Sequence, residues 1–340
     1  MRILHVTDCY AGGVSRAIDS IAKLLPDCEH SLVFDGDEHP VHGGAYTDIE
    51  HVAGSKVSKL FAINRLIKKR EPDVVHAHSS WAGMYTRLLP HSIPVVYQPH
   101  CFVFDDPWRS SASKIIYRTA EKLLSLRAAT ILTLTPHETQ LAIDAGMKSS
   151  LIELPNVPSI SESEARTRGP EAAQFPLQVA MVGRLARQKD PDFFARLAEG
   201  LRDEARVRFK WIGDGESDYR DRLEQAGVRV TGWRDEVGLI AELASSDIYF
   251  HSAGYEGYPL SVLDAAAMDC AVIVRDIPPF AADEFPKVCD VKQAEALLRQ
   301  LCVDPSMLPG IRKANVELFE RMNRKKQREV LLGVYRSLLK

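Results

Sequence analysis

The 340-residue chain has no apolar run of 18 residues, no Cys-x-x-Cys pair and little excess of charge of either sign. Each absence removes a class of protein. Without such a run, no helix is expected to span a bilayer. The six cysteines (9, 28, 101, 270, 289 and 302) lack metal-ligand spacing, and several sit among small or apolar residues. They read as buried free thiols in a reducing compartment, not as a disulfide framework or a zinc site. A net charge of −3 gives no overall pull toward nucleic acid, and none is expected as a partner. The opening Met1-Arg-Ile-Leu-His-Val6 is too short and too strand-like for a secretion signal. A cytoplasmic protein is expected.

What is present is ordinary globular material, 45% hydrophobic and 26% charged, in a chain long enough for two cores. Apolar runs at 3–7, 31–34, 73–77, 93–98, 130–135 and 151–154 alternate with helical periodicity at 14–25, 57–69, 113–127 and 136–145. The stretch 159–175 has little to bury and reads as an exposed linker. The alternation then restarts, with strands at 178–182, 208–212, 228–231, 247–251 and 271–274. Continuous apolar strands separated by helices signify parallel sheets covered on both faces. The expected fold class is therefore α/β, with two doubly wound Rossmann-like domains facing across a cleft. Residues 1–158 form the first and 176–317 the second. A final helix, about 318–340, can pack back on the first.

Residues 252–267 organise the second half. A strand ends at His251, Gly254 and Gly257 make a turn, and a small, apolar helical pattern runs from Leu260 to Met268. A helix N-terminus with free N–H groups favours an anion. Glu256 and Asp264 bracket that turn, so a ligand there must also offer hydroxyl donors. A nucleotide sugar offers both diphosphate and hydroxyls. The plainer reading is a βα connection with a surface glutamate. Gly183-Arg-Leu-Ala-Arg-Gln-Lys189 follows the first strand of the same domain. Arg184 and Lys189 can neutralise a diphosphate there. Taken alone, they are an ordinary solvated basic loop.

Gly183-Arg-Leu-x-x-x-Lys189, Gly213-Asp-Gly215, Val230-Thr-Gly-Trp233 and Glu256-Gly-Tyr-Pro-Leu-Ser-Val-Leu-Asp264 occur in that order. Together with Gly12-Gly13 and His100, they resemble family 4 of the retaining glycosyltransferases, which have the GT-B fold. The resemblance implies roles. Glu256 would hold the donor sugar and Asp264 the ribose diol. Arg184 and Lys189 would hold the diphosphate, helped by backbone N–H groups near Tyr258 and Leu260. Gly12 and Gly13 would let the first domain's backbone approach the donor. His100 would stand at the donor sugar, with Glu256, as a catalytic residue; the plainer reading is a satisfied core histidine. Trp233 and Arg234 lie in the base region, Trp233 nearer to packing than to stacking. Asp264 replaces a family glutamate, so either its helix sits closer to the ribose or water bridges the gap. Residues 154–158 and 267–271 also lack glycines common in the family.

The implied activity is transfer of a sugar from a nucleoside diphosphate sugar, UDP by family prior, to a hydroxyl of a glycan or lipid-linked acceptor. Surface polysaccharide or glycolipid synthesis is the expected setting. No cofactor or metal is expected, because no Asp-x-Asp pair occurs in a metal-binding setting. A nucleotide-sugar epimerase of GT-B fold and a non-catalytic nucleotide-sugar binding protein are the alternatives. A dehydrogenase is disfavoured because the first glycine pair is not G-x-G-x-x-G. Two basic stretches, 56–70 and 109–127, read either as solvated helix faces or as contacts to anionic lipid. The latter is worth roughly 1 kcal/mol per basic residue.

Overall fold

The computed structural model describes residues 1–36, 40, 44–167 and 174–339. It divides into two units, Met1–Val157 with Met322–Lys340, and Pro158–Arg321. In the first unit the apolar runs form β1 (Arg2–Thr7), β2 (Glu29–Phe34), β3 (Asp48–His51), β4 (Val74–His78), β5 (Val95–Gln98), β6 (Thr130–Thr133) and β7 (Ser150–Glu153). The intervening helices are α1 (Gly12–Leu24), α2 (Lys56–Arg70), α3 (Ser80–Leu88), α4 (Ser111–Ser125) and α5 (Pro136–Asp144). The seven strands lie parallel in the order β3-β2-β1-β4-β5-β6-β7. The central strands β4, β5 and β6 are buried along their whole length, as a sheet covered on both faces requires.

The second unit holds β8 (Leu177–Val182), β9 (Val207–Ile212), β10 (Arg229–Val230), β11 (Ile248–His251), β12 (Ala271–Arg275) and β13 (Lys287–Val288). Its helices are α6 (Pro191–Gly200), α7 (Ser217–Gln225), α8 (Glu236–Ala244), α9 (Leu260–Ala267), α10 (Val291–Val303) and α11 (Leu308–Arg321). The sheet order is β10-β9-β8-β11-β12-β13. Here β8 has β9 on one side and β11 on the other, so the order reverses at β8 and β11. This reversal opens a crevice at the strands' carboxyl ends.

Two boundaries differ from the sequence reading. The C-terminal helical pattern breaks at Met322-Asn323, and α12 (Arg324–Ser337) starts afresh. The Asn323 side chain caps it by accepting the Lys326 N–H at 2.9 Å. Leu331, Val334 and Tyr335 of α12 pack with Ile3, Val74, Val96 and Leu132, which makes this helix part of the first core. The second difference is that residues 159–167 are not a free linker. Ile160 is buried, and Arg166 donates its N–H to the Ala267 carbonyl and its guanidinium to the Ala244 carbonyl, both at 2.9 Å. Residues 168–173 of the expected linker lie outside the described residues. The cysteines are all free, but only Cys270 and Cys302 are buried, while Cys9 and Cys289 are exposed.

Candidate active site

Glycine decides how the loops after β8, β9 and β10 stack. Gly213 has φ 139°, and a Cβ there would lie 2.2 Å from the Gly183 carbonyl oxygen. The Trp211 indole N–H donates to that same carbonyl at 2.8 Å. Bridges join Leu185 to Gly215 and Gly213 to Gly232. The glycines of the recognised motifs therefore hold three loops in direct backbone contact beside the crevice.

Into this crevice the loop after β8 sends Lys189, and the turn after β11 sends Glu256. Their side chains form an ion pair. Gln188 donates its amide to the other Glu256 oxygen at 3.3 Å, and His251 Nε2 stands 3.5 Å from the first. Glu256 is only 7% exposed. Burial pushes its pKa up, but the Lys189 ammonium and His251 outweigh it and hold the pKa below the usual value. Burial pushes His251 down, so it stays neutral, with Nδ1 2.9 Å from the Tyr249 hydroxyl. The result is a charged carboxylate with fixed neighbours, which can accept hydrogen bonds from a sugar. Arg184 stands exposed on the same loop, with no carboxylate partner among the described residues.

Other expected site residues are redistributed. Leu260 begins α9, Pro259 is its N-cap residue, and no acidic residue occupies the first turn. The Tyr258 side chain is committed elsewhere, donating to Asp283 at 3.1 Å and packing on Phe280. Only its backbone remains a candidate for phosphate. The ribose assignment of Asp264 is corrected. Asp264 is fully buried, and its carboxylate accepts from the Ser159 N–H and hydroxyl, each at 2.7 Å, and from the Ile160 N–H at 3.3 Å. Inside the fold, the carboxylate anchors the start of the second unit. Trp233 is also corrected: it is 58% exposed, so it is not a packing residue. Arg234 lies 3.8 Å from Glu242.

In the first unit, Gly12 has φ 57° at the start of α1, and a Cβ on Gly12 or Gly13 would meet nothing within 4 Å. The backbone there borders open space. His100 follows β5 with φ 61°, an uncommon backbone state for a residue with a side chain. It is half-buried, and its Nε2 lies 3.0 Å from His78 Nδ1. Burial pushes its pKa down to about 4. His5, His76 and His78 lie behind it, and their nearest ring nitrogens fall within 4.8 Å of one another. Sequence reasoning missed these histidines, along with Gln188, Tyr249 and His251. Gln188 and His251 adjoin residues that were singled out, whereas the histidine cluster left no local signal.

The structure is similar, over 99% of this chain and 100% of the other, to the Anabaena HepE protein in complex with UDP and glucose, with TM-score 0.82 and 16% identity. Two parallel α/β units built this way make up the GT-B fold class. Within that class the chain belongs to glycosyltransferase family 4. Residues 12–156 match the model of the glycosyl transferase 4-like domain, and residues 176–302 that of the group 1 glycosyl transferases. A Klebsiella pneumoniae relative, an uncharacterized 41.2 kDa protein in the cps region, is 25% identical over 82% of this chain and 81% of its own. An Escherichia coli relative, UDP-Gal:alpha-D-GlcNAc-diphosphoundecaprenol alpha-1,3-galactosyltransferase, is 27% identical over 65% of this chain and 62% of its own.

Proposed function

We propose that this glycosyltransferase moves a hexose from a UDP-sugar, with retention and without a metal, to a hydroxyl of a lipid-linked or polysaccharide acceptor. The observation that carries this reading is the Lys189–Glu256 pair at the sheet's reversal point. A diphosphate reaching the α9 N-terminus competes for the Lys189 ammonium. Lys189 and Arg184 then stabilise the charge that develops on the leaving diphosphate, while Glu256 accepts the sugar hydroxyls. Cations supplied by the chain take the part a divalent ion would play. Retention without a protein nucleophile suits front-face attack, in which a donor phosphate oxygen takes the acceptor's proton. That step, like the choice of UDP, follows the family resemblance and the activity named for the E. coli relative.

A thermal-shift panel of UDP-, GDP- and ADP-sugars tests the donor. At a hundredfold excess over Kd, the true donor should stabilise the protein by about 2.7 kcal/mol. A larger shift with GDP- or ADP-sugars would reject UDP. Turnover should be unchanged in excess chelator, and its loss would reject the metal-free mechanism.

Peripheral membrane contact is part of the same proposal, and the two basic stretches support it unequally. In α2, Lys59 pairs with Asp35, Arg70 with Asp48 and Glu50, and Lys56 lies over the Trp81 ring. Much of that charge is used internally. Along 109–127, the sole acid, Glu121, is buried against Arg87 at 2.9 Å and Tyr97 at 2.7 Å. Arg109 pairs with Asp106 and Arg118 donates to the Asp144 carbonyl, which leaves Lys114, Arg118 and Lys122 of α4 without a carboxylate partner among the described residues, beside Ile115, Ile116, Leu123 and Leu126, each at least 62% exposed. An apolar and basic helix face suits an anionic lipid surface. The protein should sediment with anionic but not zwitterionic vesicles at physiological salt, and less so after I115S/I116S. Absence of sedimentation with anionic vesicles would remove the contact from the proposal.

A further inference from the structure

Four histidines of the first unit are joined nitrogen to nitrogen across four neighbouring strands. His30 Nε2 lies 3.0 Å from the Leu25 carbonyl oxygen, and His30 Nδ1 lies 2.9 Å from His5 Nε2. His5 Nδ1 is 3.1 Å from His78 Nε2, and His78 Nδ1 is 3.0 Å from His100 Nε2. Successive ring centroids are 5.2, 5.3 and 5.3 Å apart, with planes within 25° of each other. Rings that far apart whose nitrogens are that close meet end to end. The line begins at the amino end of β2, crosses β1 and β4, and ends after the carboxyl end of β5.

Such a line can run in one direction only. A carbonyl oxygen accepts and never donates, so His30 Nε2 must carry hydrogen. Burial pushes His30 toward its neutral form, so its Nδ1 must accept, and His5 must donate from Nε2. The same step repeats at His5 and at His78, both of which burial holds neutral. His100 is thereby left with hydrogen on Nε2 and a lone pair on Nδ1, which has no partner among the described residues.

We infer that this chain is a tautomer lock: the Leu25 carbonyl, acting through His30, His5 and His78, makes His100 present Nδ1 only as an acceptor to a ligand hydroxyl. His30, His5 and His78 are positioning residues. That the hydroxyl belongs to a sugar rests on the proposed function; the direction of the chain does not. His100 follows the carboxyl end of β5, with a left-handed backbone, and is only half-buried, so the end of the line lies at the sheet edge where ligands of such folds bind. His76 stands aside, bonded through Nδ1 to the Tyr335 hydroxyl at 2.7 Å. A zinc ion shared by His5, His76 and His78 fits poorly. His5 Nδ1 and His78 Nε2 face each other at 3.1 Å, whereas a metal between facing nitrogens needs about 2.0–2.1 Å to each.

Long-range proton–nitrogen correlation spectra of the 15N-labelled full chain at pH 7, without ligand, test the lock. Single His→Gln variants supply the assignments. All four rings should be neutral with hydrogen on Nε2. H30L should leave His100 as a mixture of tautomers and lower turnover about tenfold, the scale of one misdirected hydrogen bond, with UDP affinity unchanged. H30Q should restore both, since its amide can donate to the Leu25 carbonyl and accept from His5. Hydrogen on His100 Nδ1 in the unsubstituted protein would overturn the inference. So would a folded H30L with a single unaltered tautomer, or one tightly bound zinc per chain. Because the spectra need no substrate, failure of the sugar-transfer reading leaves this result decisive.

Discussion

Replacing Lys189 with alanine is expected to lower turnover by about 10²–10³-fold, the usual effect of removing one fixed donor to developing charge. Two losses combine. In the proposed mechanism the leaving diphosphate loses a cation, and Glu256, 7% exposed, loses the main charge that keeps it ionised. The variant should also melt lower, because an unpaired buried carboxylate costs about 3–5 kcal/mol. Stability and catalysis can be separated by removing both charges. K189M/E256Q should recover much of the melting temperature and stay inactive. Steady-state turnover with scanning calorimetry reads both effects. An active double variant, or unchanged turnover in both R184A and K189A, would reject the site.

Acid should unfold the first unit before the second. Burial depresses the pKa of His5, His30, His76, His78 and His100 in the first unit, with His76 pushed down to about 3 and His100 to about 4. An unfolded histidine charges near pH 6.5, so below that value the unfolded chain binds more protons than the fold. Stability then falls as pH falls, by about 1.4 kcal/mol per pH unit for each such proton. Glu138 works in the opposite sense. Burial raises its pKa to about 8, so it adds stability as pH falls through that value toward its ordinary range. Five groups oppose one in the first unit. In the second, His251 is depressed and Asp283 raised, so one group opposes one. Carboxylates held low by their partners act only at lower pH. Hydrogen exchange between about pH 6.5 and 4.5 should show β1, β4 and β5 losing protection before β8, β11 and β12. Simultaneous loss, or the reverse order, would contradict this account.

Much of the site was legible because it depends on short-range geometry. Gly213 is required wherever two loop backbones touch, and the β11-turn-α9 passage is written in adjacent residues. Lys189 and Glu256 could be assigned to the same end of the sheet, since each follows a strand. Their direct contact could not, because it depends on β8 and β11 being neighbours although 65 residues, 183–247, lie between the two strands. Asp264 shows a different gap. The family resemblance implied a ribose contact, but the carboxylate is taken up by the Ser159 hydroxyl and the Ser159 and Ile160 N–H groups, 105 and 104 residues away in the chain.

By itself, the sequence determined the α/β class, the alternation of strands and helices, and the two loops from which Lys189 and Glu256 come. Hydrophobic periodicity and glycine turns act over a few residues and can be read there. Only the tertiary structure decided which carboxylate stays at the crevice, where the C-terminal helix breaks, and that four scattered histidines form one line. Strand order and register bring His5, His30, His78 and His100 together, and a hydrogen bond between residues far apart in the chain leaves no trace in the local pattern of either.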